Sequence, residues 1–566
     1  MTLRPELRRA VKAWAARDPD PETRREIERM LACEDPGLEE RFSGRLEFGT
    51  AGLRAAMGGG PMRMNRLVVQ ESATGIARYL LASIPPSRQV AVLVAHDARH
   101  HSAAFAVECA NVLAEAGLRV VLADGPLPTP VAVFATRNLG CAAGVVITAS
   151  HNPPADNGLK LYLGDGAQII PPVDVEIANS IATAQDTPNP SSRTRKGSID
   201  PLDETVVDAY CKATLMRVPR PLAPIRVATS AMHGVGGALL ARLLSDAGYR
   251  DLSPVERQEM PDPDFPTVAF PNPEEPGATD LLAEQMKVVD APLGLCLDPD
   301  ADRVAVLVRD GAGGVRKLTG DEVGSLLGEW LLAEVTTGPD RLVTSSVVSS
   351  SLLAKIAAHH GAHHLETLTG FKWLCRPAME HPEWTQVMAY EEAIGYAIGA
   401  DVRDKDGLSA ALAVAAMASA EHARGRTLLD ALDSLHVRHG AHVTQNFSLR
   451  YEGSDWRRRR GDALSRLTAT PPDELAGNPI LDIRRLAADV LRIDLQALRV
   501  IVRPSGTEPK LKCYCEATED VSGRDLAAAR SHAADRLRSV REALTALLVG
   551  AGPSSTPAGE AVSRSR

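Results

Sequence analysis

What this 566-residue chain lacks narrows its function before any motif is read. It has no basic excess: 63 Lys and Arg stand against 72 Asp and Glu, a net charge of −9, which argues against a nucleic-acid partner. Its eight cysteines include no CxxC. The only close pair, Cys513 and Cys515, has neither zinc-knuckle nor redox spacing, so free thiols in a reducing cytoplasm are expected. Residues Met1 to Leu31 are dense in Arg and Glu and lack the apolar stretch of a signal peptide. The Ala-rich run from Ser409 to Ala420 is too short to cross a bilayer and ends in Glu421 and His422. No Walker A phosphate loop occurs. A cytoplasmic protein that takes small-molecule partners, binds neither nucleic acid nor membrane, and is monomeric or homodimeric is expected.

What the chain has is repetition. Three stretches share one pattern: a β-branched apolar run, a polar or Gly-rich turn, an Ala/Leu-rich helix and a closing Gly. Val90 to Val94 precedes a helix over Ser102 to Ala116 and Gly117. Ile225 to Ala228 precedes a helix over Gly236 to Ala247 and Gly248, and Leu342 to Val348 precedes one over Ser350 to His360 and Gly361. Spacing on this scale predicts repeated α/β domains rather than a short solenoid. The end of the chain differs. Strand-like Leu498 to Val502 and Lys510 to Cys515 flank a polar loop, and Leu526 to Leu548 reads as an amphipathic helix. The expected fold class is α/β, with three related mixed domains and a C-terminal α+β domain. The boundaries are placed at 1–200, 201–318, 319–440 and 441–550, with a disordered tail over 551–566.

Three loops carry chemistry. Ser150 follows the strand-like Gly144-Val145-Val146-Ile147-Thr148 and precedes Asn152-Pro153-Pro154, which does not continue a helix easily. Downstream Lys160 is near enough to return to it as an acid/base partner. Adjacent His151 is expected to be structural, since consecutive side chains diverge. Asp298, Asp300 and Asp302 alternate, so their carboxylates can converge on one hard cation such as Mg²⁺. An EF-hand is excluded, because Arg303-Val304-Ala305 supplies neither its Gly nor a distal Glu. Arg503, Ser505, Gly506, Thr507, Lys510 and Lys512 combine a guanidinium fork, hydroxyls, permissive backbone and ammonium groups, a natural phosphate nest. A serine, a metal loop and a phosphate grip are the parts of phosphoryl transfer through a phosphoserine, so an enzyme is expected. Gly234-Val235-Gly236-Gly237 lacks the third glycine of a dinucleotide fingerprint and reads as a strand-to-helix turn. His359, His360, His363 and His364 straddle Gly361 and read as a solvated helix end.

Phe48-Gly-Thr-Ala-Gly-Leu-Arg54, Thr148 to Pro153, Asp298 to Arg303, Glu391-Glu-Ala-Ile-Gly-Tyr396 and Arg503 to Lys510 together resemble the α-D-phosphohexomutase (phosphoglucomutase/phosphomannomutase) superfamily, in the family's order. The resemblance implies four domains around a central cleft. Ser150 would be the phosphoserine and, with Asp298, Asp300 and Asp302, would hold Mg²⁺. Arg54, Lys160 and Arg303 would steady the phosphoserine and assist proton transfer. Thr369, Gly370, Lys372, Glu391 and Lys405 would meet the sugar, and Arg503, Ser505, Gly506, Thr507 and Lys512 the phosphate not being transferred.

The implied activity interconverts an aldose 1-phosphate with its terminal phosphate, glucose 1-phosphate with glucose 6-phosphate being favoured. A sugar bisphosphate, glucose 1,6-bisphosphate, would act as activator and intermediate. Ala393 stands where the family commonly has Ser, deleting one hydrogen bond to a sugar hydroxyl. With Asp404-Lys405-Asp406-Gly407, this resembles the branch in which phosphoglucomutase and phosphopentomutase activities occur together. Pro299 and Ala301, in place of glycines common elsewhere, fit the same branch. A phosphopentomutase or phosphomannomutase is the alternative within the chemistry. A sugar phosphatase or a phosphosugar-binding protein without turnover lies outside it, and the intact Ser150, aspartates, Lys160 and Arg503 argue against the latter.

Overall fold

The computed structural model describes residues 3–47, 52–85, 90–183, 197–451, 455–504, 510–522 and 525–549, so the expected tail lies outside the described residues. The chain forms two compact units, Met1–Val347 with Ala357–Leu429, and Val348–Ile356 with Asp430–Arg566.

The first unit contains three sheets. One has six strands, β1 (Leu53–Ala56), β2 (Ala91–His96), β3 (Arg119–Leu122), β4 (Ala143–Ile147), β5 (Asp156–Leu163) and β6 (Ser198–Pro201), in the order β1-β5-β4-β2-β3-β6. The next comprises β7 (Val227–Ser230), β8 (Leu252–Pro254), β9 (Leu293–Leu297), β10 (Val304–Arg309) and β11 (Val315–Lys317), ordered β11-β10-β9-β7-β8. The third comprises β12 (Arg341–Ser346), β13 (His363–Thr367), β14 (Thr385–Glu391) and β15 (Gly395–Ile398), ordered β13-β12-β14-β15. At the N-terminus, helices Pro5–Arg17, Pro21–Ala32 and Gly37–Arg41 bury Val11, Trp14, Ile27 and Leu38 in a small core that Leu67 of the next helix completes.

The three sheets repeat one topology. A first strand (β2, β7, β12) lies between its parallel second (β3, β8, β13) and third (β4, β9, β14) strands. A fourth strand (β5, β10, β15) then returns antiparallel beside the third. Helices Ser102–Glu115, Gly237–Ala247 and Leu352–His359 make the crossovers from first to second strand. The glycines that closed the sequence pattern follow them in left-handed backbone, with φ of 91° at Gly117, 116° at Gly248 and 62° at Gly361. Third strands covered on both faces read as unbroken apolar runs: β4 and β9 are buried at every position.

The turn from third to fourth strand therefore recurs in the same place three times. It carries Thr148 to Pro153 in the first repeat, Asp298 to Arg303 in the second and Glu392 to Ile394 in the third. Each turn holds one non-glycine residue in the left-handed region: Ser150 (φ 52°), Ala301 (φ 59°) and Ile394 (φ 51°). Such a backbone costs about 1–2 kcal/mol per residue, which the surrounding contacts must offset.

The second unit is antiparallel. Strands β16 (Ala441–Arg450), β17 (Glu474–Leu475), β18 (Asn478–Ala487), β19 (Val490–Leu495), β20 (Leu498–Pro504) and β21 (Lys510–Glu519) are ordered β16-β21-β20-β19-β18-β17. Helix Leu526–Val549 covers the sheet with Ala533, Leu537, Val540, Leu544 and Leu548, an apolar stripe at three- and four-residue steps. Among the described residues no helix is long and apolar enough to cross a membrane. All eight cysteines are free, and only Cys33 is exposed.

One carboxylate ties the segment Val348–Ile356 to this sheet. Buried Glu516 accepts from Ser350 Oγ (2.6 Å), Ser351 N (2.9 Å), His442 Nδ1 (2.9 Å) and Arg499 Nη2 (2.8 Å). Burial pulls its pKa up, but the hydrogen bond from His442 and the Arg499 guanidinium outweigh burial and bring it down to about 2. Because the folded value lies below the ordinary 4.5, the stabilisation is complete above the latter and is lost as pH falls from there towards 2. Glu516→Gln should therefore cost about 3 kcal/mol at pH 7 and far less near pH 2.5, as measured by denaturant unfolding. A pH-independent gap would contradict this assignment.

Candidate functional site

The serine turn and the aspartate turn meet. Ser150, 1% exposed, is held by its own N–H, which donates to Thr148 Oγ1 at 2.8 Å, and its Oγ donates to Asp298 Oδ2 at 3.1 Å. His151 Nδ1 lies 3.1 Å from the same Oγ. The expectation that the two side chains diverge is thus corrected: the left-handed backbone at Ser150 folds its neighbour back. Burial, aided by Arg303 and Arg54, pushes the His151 pKa well down, so the imidazole is neutral.

Asp298, Asp300 and Asp302 are fully buried, and their ligand oxygens lie within 4.8 Å of one another. Among the described residues this is the only group of three or more His, Cys, Asp or Glu side chains near enough to share an ion. The turn is closed by Arg303 N, which donates to Asp298 Oδ1 at 3.0 Å. Around it, Val235 N donates to Pro299 O (2.9 Å), Thr129 N to Asp300 O (3.0 Å) and Gly407 N to Ala301 O (3.2 Å). A Cβ on Gly234 would sit 2.5 Å from Pro299 Cα, so this glycine serves a close backbone approach.

Three cations balance the three carboxylates. Lys160 Nζ donates to Asp300 Oδ2 and Asp302 Oδ2, both at 2.6 Å; Lys405 Nζ lies 3.3 Å from Asp302 Oδ2 and Arg303 Nε 3.8 Å from Asp302 Oδ1. Thr129 Oγ1 adds a 2.6 Å bond to Asp300 Oδ2. Burial pushes all three aspartate pKa values up. At Asp302 the charges of Lys160, Lys405 and Arg303 reverse the shift, and at Asp300 Lys160 and the Thr129 hydroxyl do so. At Asp298 the neighbouring carboxylates reinforce burial and the value stays raised. Burial alone would lower Lys160, yet Asp300 and Asp302 hold it raised, so it remains an ammonium.

The donor set fits a hard divalent cation. Asp300 Oδ1 and Asp302 Oδ1 are buried without a hydrogen-bond partner, and three carboxylates beside a serine oxygen are the ligand type such ions take. A buried acceptor left unmatched costs about 1–3 kcal/mol, which coordination would recover.

The third turn joins the second through backbone. Val304 N donates to Ile394 O (3.3 Å), Arg303 Nη1 to Ala393 O (3.1 Å) and to Glu274 Oε2 (3.2 Å). Glu391 is buried, with its charge acting on Lys405 and Arg303. Lys405 is fixed at 3.2 Å from Asp404 Oδ1, whose other oxygen accepts from Tyr162 OH (2.6 Å) and Gln168 Nε2 (2.7 Å). Arg54, on β1, reaches Asn152 Oδ1 at 3.5 Å.

Gly370 (φ 108°) precedes the short helix Phe371–Leu374. No hydrogen bond or ion pair among the described residues joins Thr369, Gly370 or Lys372 to the serine or the aspartates. In the second unit, Arg503 and Lys512 are direct cross-strand partners, with Arg503 Nε donating to Tyr514 OH at 3.3 Å. Ser505, Gly506 and Thr507 lie outside the described residues. Two of the histidines read as a solvated helix end, His363 and His364, instead form β13, where His364 Nε2 lies 3.0 Å from Ser345 Oγ.

Sequence reasoning missed Thr129 and Arg99, and it quoted Asp404 only as part of a family motif, without its role in fixing Lys405. Thr129 opens a helix behind a proline, a pattern too common to single out. Arg99 had one usable signal, an Asp-x-Arg at the end of a buried strand.

Comparison with known proteins gives a consistent family. The models for phosphoglucomutase/phosphomannomutase alpha/beta/alpha domains I, II and III match residues 45–188, 183–313 and 319–436, and that for the C-terminal domain matches 465–533. A probable phosphomannomutase of Haemophilus influenzae is 38% identical over 471 residues, covering 81% of this chain and 93% of the relative. A probable phosphoribomutase of Schizosaccharomyces pombe is 35% identical over 550 residues, covering 90% and 93%. A phosphoglucomutase of Staphylococcus aureus is 32% identical over 516 residues, covering 86% and 93%.

The charge balance has a direct test. Lys160→Met strands two buried carboxylates and should cost about 3 kcal/mol or more in chelator-treated protein, read as a lowered Tm. A loss below about 1 kcal/mol, the range of an exposed ion pair, would show that Lys160 does not carry the balance.

Proposed function

The chain belongs to the phosphoglucomutase/phosphomannomutase family of isomerase-type phosphotransferases, and on that premise we propose that it shuttles a phosphoryl group between C1 and the terminal hydroxyl of an aldose phosphate through phosphorylated Ser150. The observation that carries this is the 3.1 Å contact between Ser150 Oγ and Asp298 Oδ2, with Lys160 bridging Asp300 and Asp302 beside it. A nucleophile's oxygen, a hard-cation donor set and a retained proton converge in one water-poor place.

In the forward half-reaction the P–O bond to Ser150 breaks as a P–O bond to the sugar hydroxyl forms. Net, one proton moves from that hydroxyl to Ser150 Oγ, relayed by Lys160, which the aspartates keep protonated. The resulting sugar bisphosphate, glucose 1,6-bisphosphate in the favoured case, turns over and returns its other phosphate to Ser150. Mg²⁺ held by Asp298, Asp300, Asp302 and Ser150 would supply charge neutralisation at the transferring phosphoryl group. Arg54 and Arg303 steady that group. Thr369, Gly370, Lys372, Glu391 and Lys405 read the sugar, and Arg503, Ser505, Gly506, Thr507 and Lys512 grip the remote phosphate. For the last set, the support is the pairing of Arg503 with Lys512 across β20 and β21, which brings a guanidinium fork and an ammonium group together. A cytoplasmic location belongs to the same reading, supported by the free thiols.

Glucose 1-phosphate is the favoured substrate, supported by the phosphoglucomutase relative. Two observations favour a pentose phosphate as second reading: the third turn presents Ala393, without a hydroxyl, and a relative covering 90% of the chain is named a phosphoribomutase.

Peptide mapping should find phosphate on Ser150, and Ser150→Ala should lower kcat about a thousandfold or more. Phosphate on another residue, with Ser150→Ala fully active, would overturn the mechanism. Assayed with glucose, mannose, ribose and deoxyribose 1-phosphates, the enzyme should show its highest kcat/KM on glucose; a tenfold preference for ribose would establish the second reading.

A further inference from the structure

Beneath the serine turn lies a side chain that the mechanism above does not use. Arg99 follows β2, is 4% exposed, and spends its guanidinium on the backbone of one loop. Nη1 donates to Pro153 O (2.8 Å) and Asp156 O (3.3 Å); Nη2 donates to Ser150 O (2.6 Å) and Asn152 O. The carbonyl of the serine itself is therefore gripped. Counter-charge comes from Asp97, with Nε 3.4 Å from Asp97 Oδ2. Asp97 is in turn fixed by Ser102 Oγ (2.6 Å) and by Arg99 N (3.0 Å).

A buried guanidinium costs several kcal/mol unless paired and hydrogen-bonded. Pairing alone would be satisfied by Asp97, so the convergence of four carbonyls on the outer nitrogens calls for its own reason. The loop, turned through a left-handed Ser150, brings the carbonyls of Ser150, Asn152, Pro153 and Asp156 round one centre. A planar fork can bind several of them at once, whereas an ammonium is a single point donor group on a flexible stem. An aromatic ring also packs against the fork. Phe265, between β8 and β9 and 2% exposed, places its ring centroid 5.0 Å from the guanidinium carbon. Next to it, Asp264 Oδ1 lies 2.7 Å from His100 Nε2. Phe265 belongs to the repeat that supplies the aspartate turn, so one contact registers the serine turn against the repeat carrying Asp298.

The geometry points to Arg99 as a positioning residue that sets the angle at which Ser150 Oγ faces Asp298, with Phe265 as its buttress. This rests on the reading of Ser150 as the phosphorylated group. The outer nitrogens of Arg99 are spent on main-chain carbonyls, so its loss should act on kcat and spare KM.

The test compares wild type, Arg99→Lys, Arg99→Ala, Phe265→Leu and Ser150→Ala as full-length proteins, reading kcat and KM per folded molecule and phosphate per Ser150. Arg99→Lys keeps the charge and loses the fork; kcat should fall roughly tenfold to a hundredfold, with KM within twofold. Millimolar guanidinium should restore part of the kcat of Arg99→Ala and leave Ser150→Ala unchanged. Phe265→Leu, which keeps the apolar packing, should lower kcat several-fold without moving KM, and this decides the matter should the Arg99 variants fail to fold. If Arg99→Lys and Phe265→Leu keep wild-type kcat while Ser150→Ala is inactive, the positioning role alone fails. If Ser150→Ala retains turnover, the phosphoserine reading fails first. A loss in Arg99→Lys that only follows the folded fraction, without guanidinium rescue of Arg99→Ala, would also overturn the proposal.

Discussion

Three carboxylates buried on one six-residue turn are the constraint around which the first unit is arranged. Asp298, Asp300 and Asp302 are each fully buried, and an isolated buried charge is far too costly to survive without partners. The chain answers with cations drawn from three sequence regions: Lys160 from β5, Arg303 from the turn itself, and Lys405 from beyond β15. Arg303 adjoins Asp302 in sequence, whereas Lys160 and Lys405 are far from the turn along the chain. Only the tertiary fold can assemble them, so the site's electrostatics and the packing of the three repeats are one problem.

The repeats solve it by reusing a position. In each, the polypeptide leaves the third strand, passes through a left-handed residue and returns antiparallel. A tight turn at the end of a buried strand offers backbone groups and side chains at a fixed place, and three copies give three such places with different residues in them. The aspartate turn is held from both sides by main chain, through Thr129 N to Asp300 O and through Gly407 N to Ala301 O. Those bonds leave its carboxylates little freedom to spread apart under their mutual repulsion.

Much of this was legible in the sequence, and what escaped did so for identifiable reasons. The repeats announced themselves because an apolar run, a helix and a left-handed glycine each impose a residue type, as Gly117, Gly248 and Gly361 show. Asp298, Asp300 and Asp302 stood out because alternating acids have few uses. Arg99 stayed hidden because it works on carbonyl oxygens, which every residue has. His151 was misjudged because side-chain divergence assumes ordinary backbone, and Ser150 does not have it. Gly234 was read as part of a strand-to-helix turn and is one, but that it also admits Pro299 depends on a distant segment and was not legible.

The central claim is that the buried aspartate turn is a cation site facing Ser150. Anomalous diffraction from crystals grown with Mn²⁺, a hard oxygen-seeking stand-in for Mg²⁺, tests it most directly. The account predicts a peak within coordinating distance of Asp298, Asp300 and Asp302 and beside Ser150 Oγ, absent in Asp300→Asn. A strong Mn²⁺ peak elsewhere, with Lys160 still bridging two unliganded aspartates, would contradict it.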